Sequence, residues 1–376
     1  MEELFEILGP DGSFTGKLKP RSQVHKDGDL HGAAHIWVYR LIDGKAELLL
    51  QKRSDHKDSF PGCYDTSSAG HLDPGEDFLT GAIRELGEEL GIQAEPEDLQ
   101  YMYTKEIDLT DTFYGEAFHN HELISIYMLE LVPADMQIQY QESEISGVMW
   151  MEADTLYRMV KEESFKHCMD AEELAKIIEE LHRRLRLKKQ MEFLLEADKE
   201  KEILRQTYKT SMQRENDAEH AWHLALMVML LSEHANETID SYRTMCMVLI
   251  HDVVEIDAGD TYAYDNTGLA TQRERETAAA DRIFNLLPQD QAVWMRQLWD
   301  EFEAWETPEA CFAHTLDNLQ PLMLNDATGG ISWREHHVKK KQTMKRNAKS
   351  GQGSKRLWNY IHQIIRMRTE NGDLEK

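Results

Sequence analysis

Cysteine and long apolar runs are both scarce in this chain of 376 residues. It has four cysteines, and none forms a Cys-x-x-Cys pair, which argues against a disulfide framework and a cysteine zinc site. The longest apolar run, residues 224–231, is too short to cross a bilayer. The amino terminus, Met1-Glu-Glu-Leu-Phe-Glu, lacks the basic start and apolar core of a signal peptide. We therefore expect a cytoplasmic protein with no membrane partner.

Positive charge is also in short supply. The chain has 42 Lys and Arg residues against 69 Asp and Glu residues, so its formal net charge is −27. A surface this acidic repels polyanions, which argues against nucleic acid as a partner. Small phosphorylated substrates remain compatible with this charge, because metal ions or a few arginines reverse the field locally.

The character of the sequence changes near residue 160. Before that point, β-rich runs alternate with Gly, Pro and Asp turns. One helix is predicted there, over residues 77–90, with Gly91 where a C-cap glycine belongs. After that point the apolar spacing is helical, and residues 171–201 form a charged amphipathic stretch. The pattern predicts a first domain of strands around a helix and a second domain that is all-α.

The predicted domain ranges are 1–165 for the first domain, 166–190 for a helical connector and 191–376 for the all-α domain. Within the all-α domain, the apolar spacing predicts helices at 218–233, 241–255, 271–287, 289–305 and 309–324. The basic tract around residues 339–356 is interpreted as a solvated or mobile loop, with a phosphate-gathering patch as the alternative.

A first cluster of ionisable residues lies on the predicted helix 77–90. Glu85, Glu88 and Glu89 stand at positions i, i+3 and i+4, so three carboxylates share one helix face. Like charges at this spacing are unfavourable unless something positive compensates them, and a divalent cation with oxygen ligands would do so. Arg84 could also neutralise or orient one carboxylate, and Glu76 lies in the loop before the helix. The alternative is a solvated acidic face without a metal.

The string from Gly70 to Ile92 resembles the Nudix box: glycine, five residues, glutamate, seven residues, then Arg-Glu-aliphatic-x-Glu-Glu-x-Gly-aliphatic. The resemblance covers residues 28–160 and implies a Nudix α/β/α sandwich that hydrolyses a diphosphate linked to another moiety. It also implies Mg²⁺ or Mn²⁺ as cofactor. It implies Glu85, Glu88 and Glu89 as metal ligands. It also implies that Glu85 is the catalytic carboxylate, that Arg84 orients it and that Glu76 is a supporting residue. A further glutamate outside the box often assists, and the candidates are Glu122 and Glu144.

The flanking sequence resembles the Nudix branch that includes isopentenyl-diphosphate isomerase. The likeness rests on His31-Gly-Ala-Ala-His35, on Leu50-Gln-Lys-Arg53 and on Phe60-Pro-Gly-Cys-Tyr-Asp-Thr. The isomerase has a proton-transferring cysteine immediately before the box glycine, whereas this chain has Ala69 there. The resemblance therefore implies a hydrolase rather than an isomerase. We interpret His31 and His35 as structural or pocket-lining residues, with metal ligation as the alternative.

A second cluster comes from three apolar helices that each present ionisable residues. These are Glu219-His220, His251-Asp252 and Asp317, and unpaired charges buried there would be costly. Two histidines and two aspartates form a plausible shell for a divalent metal, with positions left for water and substrate. Glu255 falls on the same helical face as His251 and suits proton transfer, while Asp260 could position water or the leaving group. The alternative is a helical scaffold without metal.

This second region resembles the HD metallophosphohydrolases over residues 191–335, most closely the 5′-deoxynucleotidase branch. The likeness rests on Glu215-Asn-x-x-Glu-His220, on His251-Asp-x-x-Glu-x-x-x-x-Asp260 and on Leu316-Asp-Asn. It implies a divalent transition metal such as Mn²⁺, Co²⁺ or Zn²⁺. The implied roles are metal ligation by His220, His251, Asp252 and Asp317, catalysis by Glu255 with Asp260 assisting, and phosphate binding by Arg205. Gln206 follows where the branch has tryptophan, so base and sugar preference stay open.

These resemblances together predict a bifunctional phosphohydrolase. The Nudix half would split a nucleoside triphosphate or another diphosphate-linked compound, and the HD half would remove phosphate from (deoxy)nucleoside 5′-monophosphates. One alternative keeps both domains but has the Nudix half act on a non-nucleotide diphosphate, such as a prenyl diphosphate. Another makes one domain a non-catalytic regulatory module. A homodimer through the HD domain is expected by analogy.

Overall fold

The chain divides into an α/β part and a helical part. A computed structural model of the protein describes residues 2–57, 59–113, 116–264 and 270–376. Two units follow each other along the chain, Met1–Leu185 and Arg186–Lys376. The first is built on a mixed sheet, and the second is helical apart from one short hairpin. The predicted fold class, a sandwich followed by an all-α domain, is confirmed.

A nine-stranded sheet forms the centre of the first unit. Its strands are β1 Leu4–Leu8, β2 Phe14–Pro20, β3 His31–Ile42, β4 Lys45–Arg53, β5 Tyr64–Asp65, β6 Ser68–His71, β7 Leu99–Phe113, β8 Glu116–Glu130 and β9 Ile145–Glu152. Strand β3 is central: it pairs in parallel with β8 and antiparallel with β6 and β4. Because β3 has partners on both edges and helices on both faces, nearly all of it is buried.

Alternate residues of β3 face two different helical layers, as the two-residue period of a strand requires. Ile36 and Val38 pack in a core with Leu86 of the second helix. Trp37 and Tyr39 pack on the other face against the third helix and the start of the fourth. The sheet therefore lies between two helical layers. The helices are α1 Arg21–Asp27, α2 Phe78–Leu90, α3 Ala153–Lys161 and α4 Ala171–Ala197.

Helix α4 runs without interruption through the predicted connector. Its first turns bury Leu174, Ile178 and Leu181 in the core of the first unit. Further along, Phe193 belongs to the core of the second unit. The predicted domain ranges themselves stay a prediction.

The second unit is a helical bundle entered through a hairpin of two short strands, β10 Leu204–Tyr208 and β11 Arg214–Asn216. Its helices are α5 Asp217–Leu231, α6 Ser241–Ile250, α7 Glu255–Ala258, α8 Gln272–Phe284, α9 Gln289–Ala304, α10 Pro308–Ala327, α11 Ile331–Glu335, α12 Lys340–Arg346, α13 Ser350–Gly353 and α14 Lys355–Glu370. Helix α10 is central and packs against α5, α6, α9, α13 and α14. In the described part of the chain, no helix combines the length and the apolar character needed to cross a bilayer.

Two details of the bundle differ from the sequence prediction. The predicted helix 241–255 is interrupted: α6 ends at Ile250, four residues of turn follow, and α7 begins at Glu255. The chain tightens there because Glu255 N donates to Asp252 O, three residues back, at 2.8 Å. The interpretation of the segment around residue 350 as a solvated loop is wrong. Residues 350–353 are helical, and Gly353 packs so closely that a Cβ would overlap Cys311 O.

Candidate active sites

Helix α2 carries the first predicted site and is defined by its two ends. Asp77 caps its start, since the Asp77 side chain accepts from Thr80 N at 2.8 Å. Gly91 ends it in the left-handed conformation with φ 66°, which glycine adopts without strain. Ala82, Leu86 and Leu90 are buried against the sheet. The carboxylate face is thereby turned away from this core.

Arg84 supplies the positive charge that three neighbouring glutamates require. Its Nη1 donates to Glu85 Oε1 and to Glu88 Oε2, both at 2.9 Å. Its Nε donates to Glu76 Oε1 at 3.0 Å, and its Nη2 donates to His71 O at 2.9 Å. These charge-assisted bonds fix the guanidinium and hold the carboxylates close to one another.

The three box glutamates differ in exposure. The Glu88 side chain is 57% exposed, whereas Glu89 is only 4% exposed as a residue. Glu89 Oε2 accepts from Ser68 Oγ at 2.8 Å and from Ala69 N at 3.2 Å. Burial, with the nearby charge of Glu85, raises the pKa of Glu89 to about 7. Burial also raises the pKa of Glu85.

The sheet reaches Glu85 through a glycine. A Cβ on Gly70 would overlap the Glu85 carboxyl carbon, so no larger residue fits while Glu85 keeps this position. The glycine that opens the box is therefore explained by close approach of strand β6 to the helix.

A cluster of histidines that sequence reasoning missed lies in the same unit. Ring nitrogens of His25, His31 and His71 all lie within 4.8 Å of one another. His71 Nε2 lies 3.0 Å from Glu122 Oε1. The Nε2 atoms of His25 and His31 are buried without a hydrogen-bond partner, which a bound cation would remedy. Of the two further glutamates considered, Glu122 joins this cluster.

Burial and charge set the protonation of the histidine cluster. Burial lowers the pKa of His25 to about 3 and that of His31 to about 4, so both are neutral near pH 7. Burial alone would raise the pKa of Glu122, but the hydrogen bond and charge of His71 lower it to about 2. Neutral imidazoles beside a carboxylate are the donor set that transition metals accept. The donor atoms of the three box glutamates, all described in the structure, do not all lie within 4.8 Å of one another.

The other residues considered at the sequence level have different partners. His35 Nδ1 lies 3.1 Å from both carboxyl oxygens of Glu173, a buried residue of α4. Trp37 Nε1 donates to the same carboxylate at 2.6 Å. Glu144 pairs with Lys57. His35 therefore holds a helix against the sheet.

In the second unit, the local structure around His220 explains its placement. Asn216 and Glu219 form a capping box that starts α5, with Glu219 N donating to Asn216 Oδ1 at 2.8 Å. His220 lies in the first turn and is completely buried. Its Nδ1 lies 3.0 Å from Gln320 Oε1, which leaves Nε2 facing the interior of the site.

The four predicted metal ligands of this unit lie together. Donor atoms of His220, His251 and Asp317 all lie within 4.8 Å of one another. Asp317 Oδ1 is 3.1 Å from His220 Nε2, and Asp252 Oδ1 is 3.1 Å from His251 Nε2. Two imidazoles and two carboxylates at this spacing suit a divalent transition metal.

The two ring nitrogens of His251 also favour a divalent-metal site. Nδ1 donates to Val248 O at 3.0 Å, and Nε2 is buried without a hydrogen-bond partner. Burial lowers the pKa of His220 to about 4. Burial would also lower the pKa of His251, but the charge of Asp252 raises it to about 9. A metal bound by His251 would take the place of that proton on Nε2, as metal ligation generally requires.

Glu255 and Asp260 lie beside this group, although Glu255 is reached through the turn after α6 and not along one helix. Glu255 Oε2 is buried without a hydrogen-bond partner. Burial and the neighbouring carboxylates Asp252 and Asp217 raise the pKa of Glu255. Asp260 lines the same cavity.

Arg205 comes from strand β10, and its contacts are with carboxylates. Its Nη1 donates to Asp217 Oδ1 at 3.0 Å and to Asp252 Oδ2 at 2.6 Å. The side chain is 13% exposed. Arg205 therefore neutralises two buried acidic groups, of which Asp252 is a predicted metal ligand.

A cavity of about 430 Å³ is lined by Arg205, His251, Asp252, Glu255, Asp260 and Asp317. Aromatic side chains contribute to its walls, together with the acidic groups. The aromatic residues are Tyr262, Tyr264, Phe302, Trp305 and Trp333. Arg346, from the basic tract, also lines it, with Nη2 3.5 Å from Asp317 Oδ2. The sequence analysis placed Arg346 in the basic tract and kept a phosphate-gathering patch as the alternative to a solvated loop.

Comparisons with known proteins match each unit separately. The family model described as NUDIX domain matches residues 32–170, and the one described as HD domain matches residues 197–358. Nudix hydrolase 3 of Arabidopsis thaliana is 38% identical over 40% of this chain and 19% of its own length. An uncharacterized Nudix hydrolase of Clostridium acetobutylicum is 33% identical over 42% of this chain and 74% of its own length.

The second unit has its own relatives. The human 5′-deoxynucleotidase HDDC2 is 28% identical over 31% of this chain and 55% of its own length. The chain thus spans about a fifth of the Arabidopsis relative and about half of the human one. Both families imply a divalent metal. The chain belongs to the Nudix hydrolase family through its first unit and carries an HD domain in its second.

Proposed function

We propose that the protein is a bifunctional, metal-dependent phosphohydrolase. The observation that carries this proposal is the convergence of donor atoms of His220, His251 and Asp317 beside a cavity of about 430 Å³ that His251 and Asp317 line. That volume lies in the range of small-molecule sites. The HD unit would hydrolyse (deoxy)nucleoside 5′-monophosphates, and the name of the human relative supports this substrate class.

In the HD unit, the proposed ligands are His220, His251, Asp252 and Asp317. A metal bound there would neutralise charge on the phosphate and lower the pKa of the attacking water. The oxygen of that water bonds to phosphorus, the bond from phosphorus to the 5′ oxygen breaks, and the departing oxygen takes a proton. Glu255, buried next to Asp252, is proposed to move that proton, with Asp260 assisting. Mn²⁺, Co²⁺ or Zn²⁺ suits this nitrogen and oxygen donor set.

In the Nudix unit, Glu85, Glu88 and Glu89 are proposed to hold Mg²⁺ or Mn²⁺. Glu85 and Glu88 both accept from Arg84, and Glu89 accepts from Ala69 N of β6, which supports a shared role. Arg84 orients Glu85, the proposed catalytic carboxylate, and Glu76 supports Arg84. The substrate would be a nucleoside triphosphate or another diphosphate-linked compound.

A homodimer through the HD unit is proposed from exposed apolar residues. Trp222, Met229 and Leu230 of α5 are exposed, and so are Tyr242 and Leu249 of α6. Such exposed apolar side chains on neighbouring helices are typical of an interface. Sedimentation velocity should give a dimer that Met229→Lys converts to monomer. A monomeric parent protein at micromolar concentration contradicts this proposal.

A substrate panel tests the two activities. Nucleoside triphosphates, deoxynucleoside monophosphates and prenyl diphosphates are supplied with Mg²⁺, Mn²⁺ or Co²⁺, and pyrophosphate and orthophosphate are measured separately. We expect orthophosphate from monophosphates and a diphosphate cleavage product from the larger nucleotides. Cleavage of prenyl diphosphates alone supports the alternative of independent domains. Release of no product from any substrate overturns the proposal.

A further inference from the structure

Arg346, the last residue of α12, is held in the HD cavity by a hydrogen bond from one nitrogen of its guanidinium. Arg346 Nε donates to Asn318 Oδ1 at 3.0 Å. Asn318 is itself fixed, because its Nδ2 donates to Ser350 Oγ at 3.3 Å. Both Arg346 and Asn318 line the cavity. The anchored Nε therefore determines where the two terminal nitrogens of the guanidinium lie.

Asp317 connects this guanidinium to the proposed metal ligands. Its Oδ1 is 3.1 Å from His220 Nε2, while its Oδ2 is 3.5 Å from Arg346 Nη2. The contact between Arg346 Nη2 and Asp317 Oδ2 is an ion pair and not a hydrogen bond, since 3.5 Å is at the limit of hydrogen-bond length. The guanidinium thus lies beside the ligand group, on the side of Asp317 that the histidines leave open.

The terminal nitrogens of Arg346 are available to a ligand. They donate no hydrogen bond to any residue that the structure describes, and the side chain is 43% exposed. Arg205 differs on both points, since its Nη1 donates to Asp217 and Asp252 and its side chain is 13% exposed. A guanidinium whose terminal nitrogens donate no hydrogen bond to a described residue, next to the proposed metal ligands, matches the paired oxygens of a phosphate group.

We infer that Arg346 binds the phosphate group of the substrate in the HD cavity. The inference rests on the proposed phosphomonoesterase function and names the residue that receives its substrate. It also favours the alternative interpretation of the basic tract, a phosphate-gathering patch, at one of its residues. Two charge-assisted hydrogen bonds from one guanidinium predict a loss of tenfold or more in phosphate affinity when they are removed.

Calorimetric titration of orthophosphate into the full-length, manganese-loaded protein tests this directly. Arg346→Met should weaken phosphate binding tenfold or more, and Arg346→Lys should weaken it less, since lysine keeps the charge without the fork. Lys345→Met, the adjacent exposed cation, is the matched control and should bind phosphate like the parent. Manganese affinity and the melting temperature should be the same in all four proteins.

Kinetics separate this inference from the function on which it rests. With a deoxynucleoside monophosphate, Arg346→Met should raise KM tenfold or more. Phosphate affinity within twofold of the parent in Arg346→Met overturns the inference, and so does a loss of manganese binding, which would make Arg346 a support for Asp317. Arg346-dependent phosphate binding without hydrolysis of any monophosphate leaves the inference intact and overturns the proposed function.

Discussion

Asp317 Oδ1 lies 3.1 Å from His220 Nε2, although the two residues are 97 positions apart in the chain. The contact joins the first turn of α5 to the middle of α10, the central helix of the second unit. A buried carboxylate and a buried imidazole are stable there only because each is paired. This pairing makes the site a fixed part of the bundle core, so its loss should affect both metal binding and stability.

His251→Ala should abolish phosphate release from monophosphates and remove metal binding by the HD unit. His251 Nε2 faces Asp252 and Asp317 without a hydrogen bond of its own, so alanine removes one donor of the site. Metal content after dialysis and orthophosphate release measure the effect. Chelation with EDTA should lower the melting temperature of the HD unit in the parent more than in the variant. Full manganese content in His251→Ala would contradict the ligand assignment.

Glu88→Gln should reduce the diphosphate-cleaving activity by about two orders of magnitude, the scale for losing one electrostatic contact in an active site. The side chain is 57% exposed, so the variant should fold and melt like the parent. Release of the diphosphate cleavage product and of orthophosphate is followed in parallel. His251→Ala is the reciprocal control: each variant should silence one activity and spare the other. Equal loss of both activities in either variant would count against two separate sites.

Gly70→Ala should impair the Nudix unit because the added methyl group takes space that the Glu85 carboxyl occupies. Glu85 must then move, and its contact with Arg84 at 2.9 Å should break. Gly147→Ala is the matched control, since a Cβ there meets nothing within 4 Å and its φ is not positive. The measurement is the rate of diphosphate cleavage at increasing magnesium concentration, which should fall in Gly70→Ala and stay at the parent level in Gly147→Ala. Equal activity of both would show that Glu85 is not fixed by β6.

Glu173→Gln should destabilise the first unit by about 3 kcal/mol, the scale for breaking a buried ion pair. Glu173 accepts from Trp37, and it pairs with His35 and Lys105. The free energy of local opening is measured by hydrogen exchange of the β3 amides. Glu172→Gln, an exposed neighbour, is the control and should leave exchange unchanged.

The effect of Glu173→Gln should depend on pH. Burial would raise the pKa of Glu173, but His35 and Lys105 lower it from 4.5 to about 2, so its stabilisation is lost as pH falls through that window. Burial would lower the pKa of His35, but Glu173 raises it above 6.5, so the contribution of His35 is lost as pH rises through the raised value. The difference between parent and variant should therefore be largest between about pH 4.5 and 6.5. A difference that is constant from pH 3 to 9 would contradict the ion pair.

Local patterns in the sequence were sufficient for the Nudix helix. The helical period places Glu85, Glu88 and Glu89 on one face, and the cap residues Asp77 and Gly91 mark its ends, because these effects act within a few residues. The prediction of a continuous helix over residues 241–255 was wrong, because a turn follows Ile250 and separates α6 from α7. The sequence also did not predict which of the three glutamates is buried, because the burial of Glu89 depends on the approach of strand β6.

Sequence alone determined the fold class and the two families, because these depend on spacing and side-chain type, and it predicted two sets of candidate metal ligands that stay a prediction. Tertiary structure alone decided that His25, His31 and His71 meet, that His35 binds Glu173, and that Arg346 lines the HD cavity with its Nε bonded to Asn318. Each of these contacts joins elements distant along the chain. Such contacts are selected by the packing of whole helices and strands, for which no single stretch of sequence carries the information.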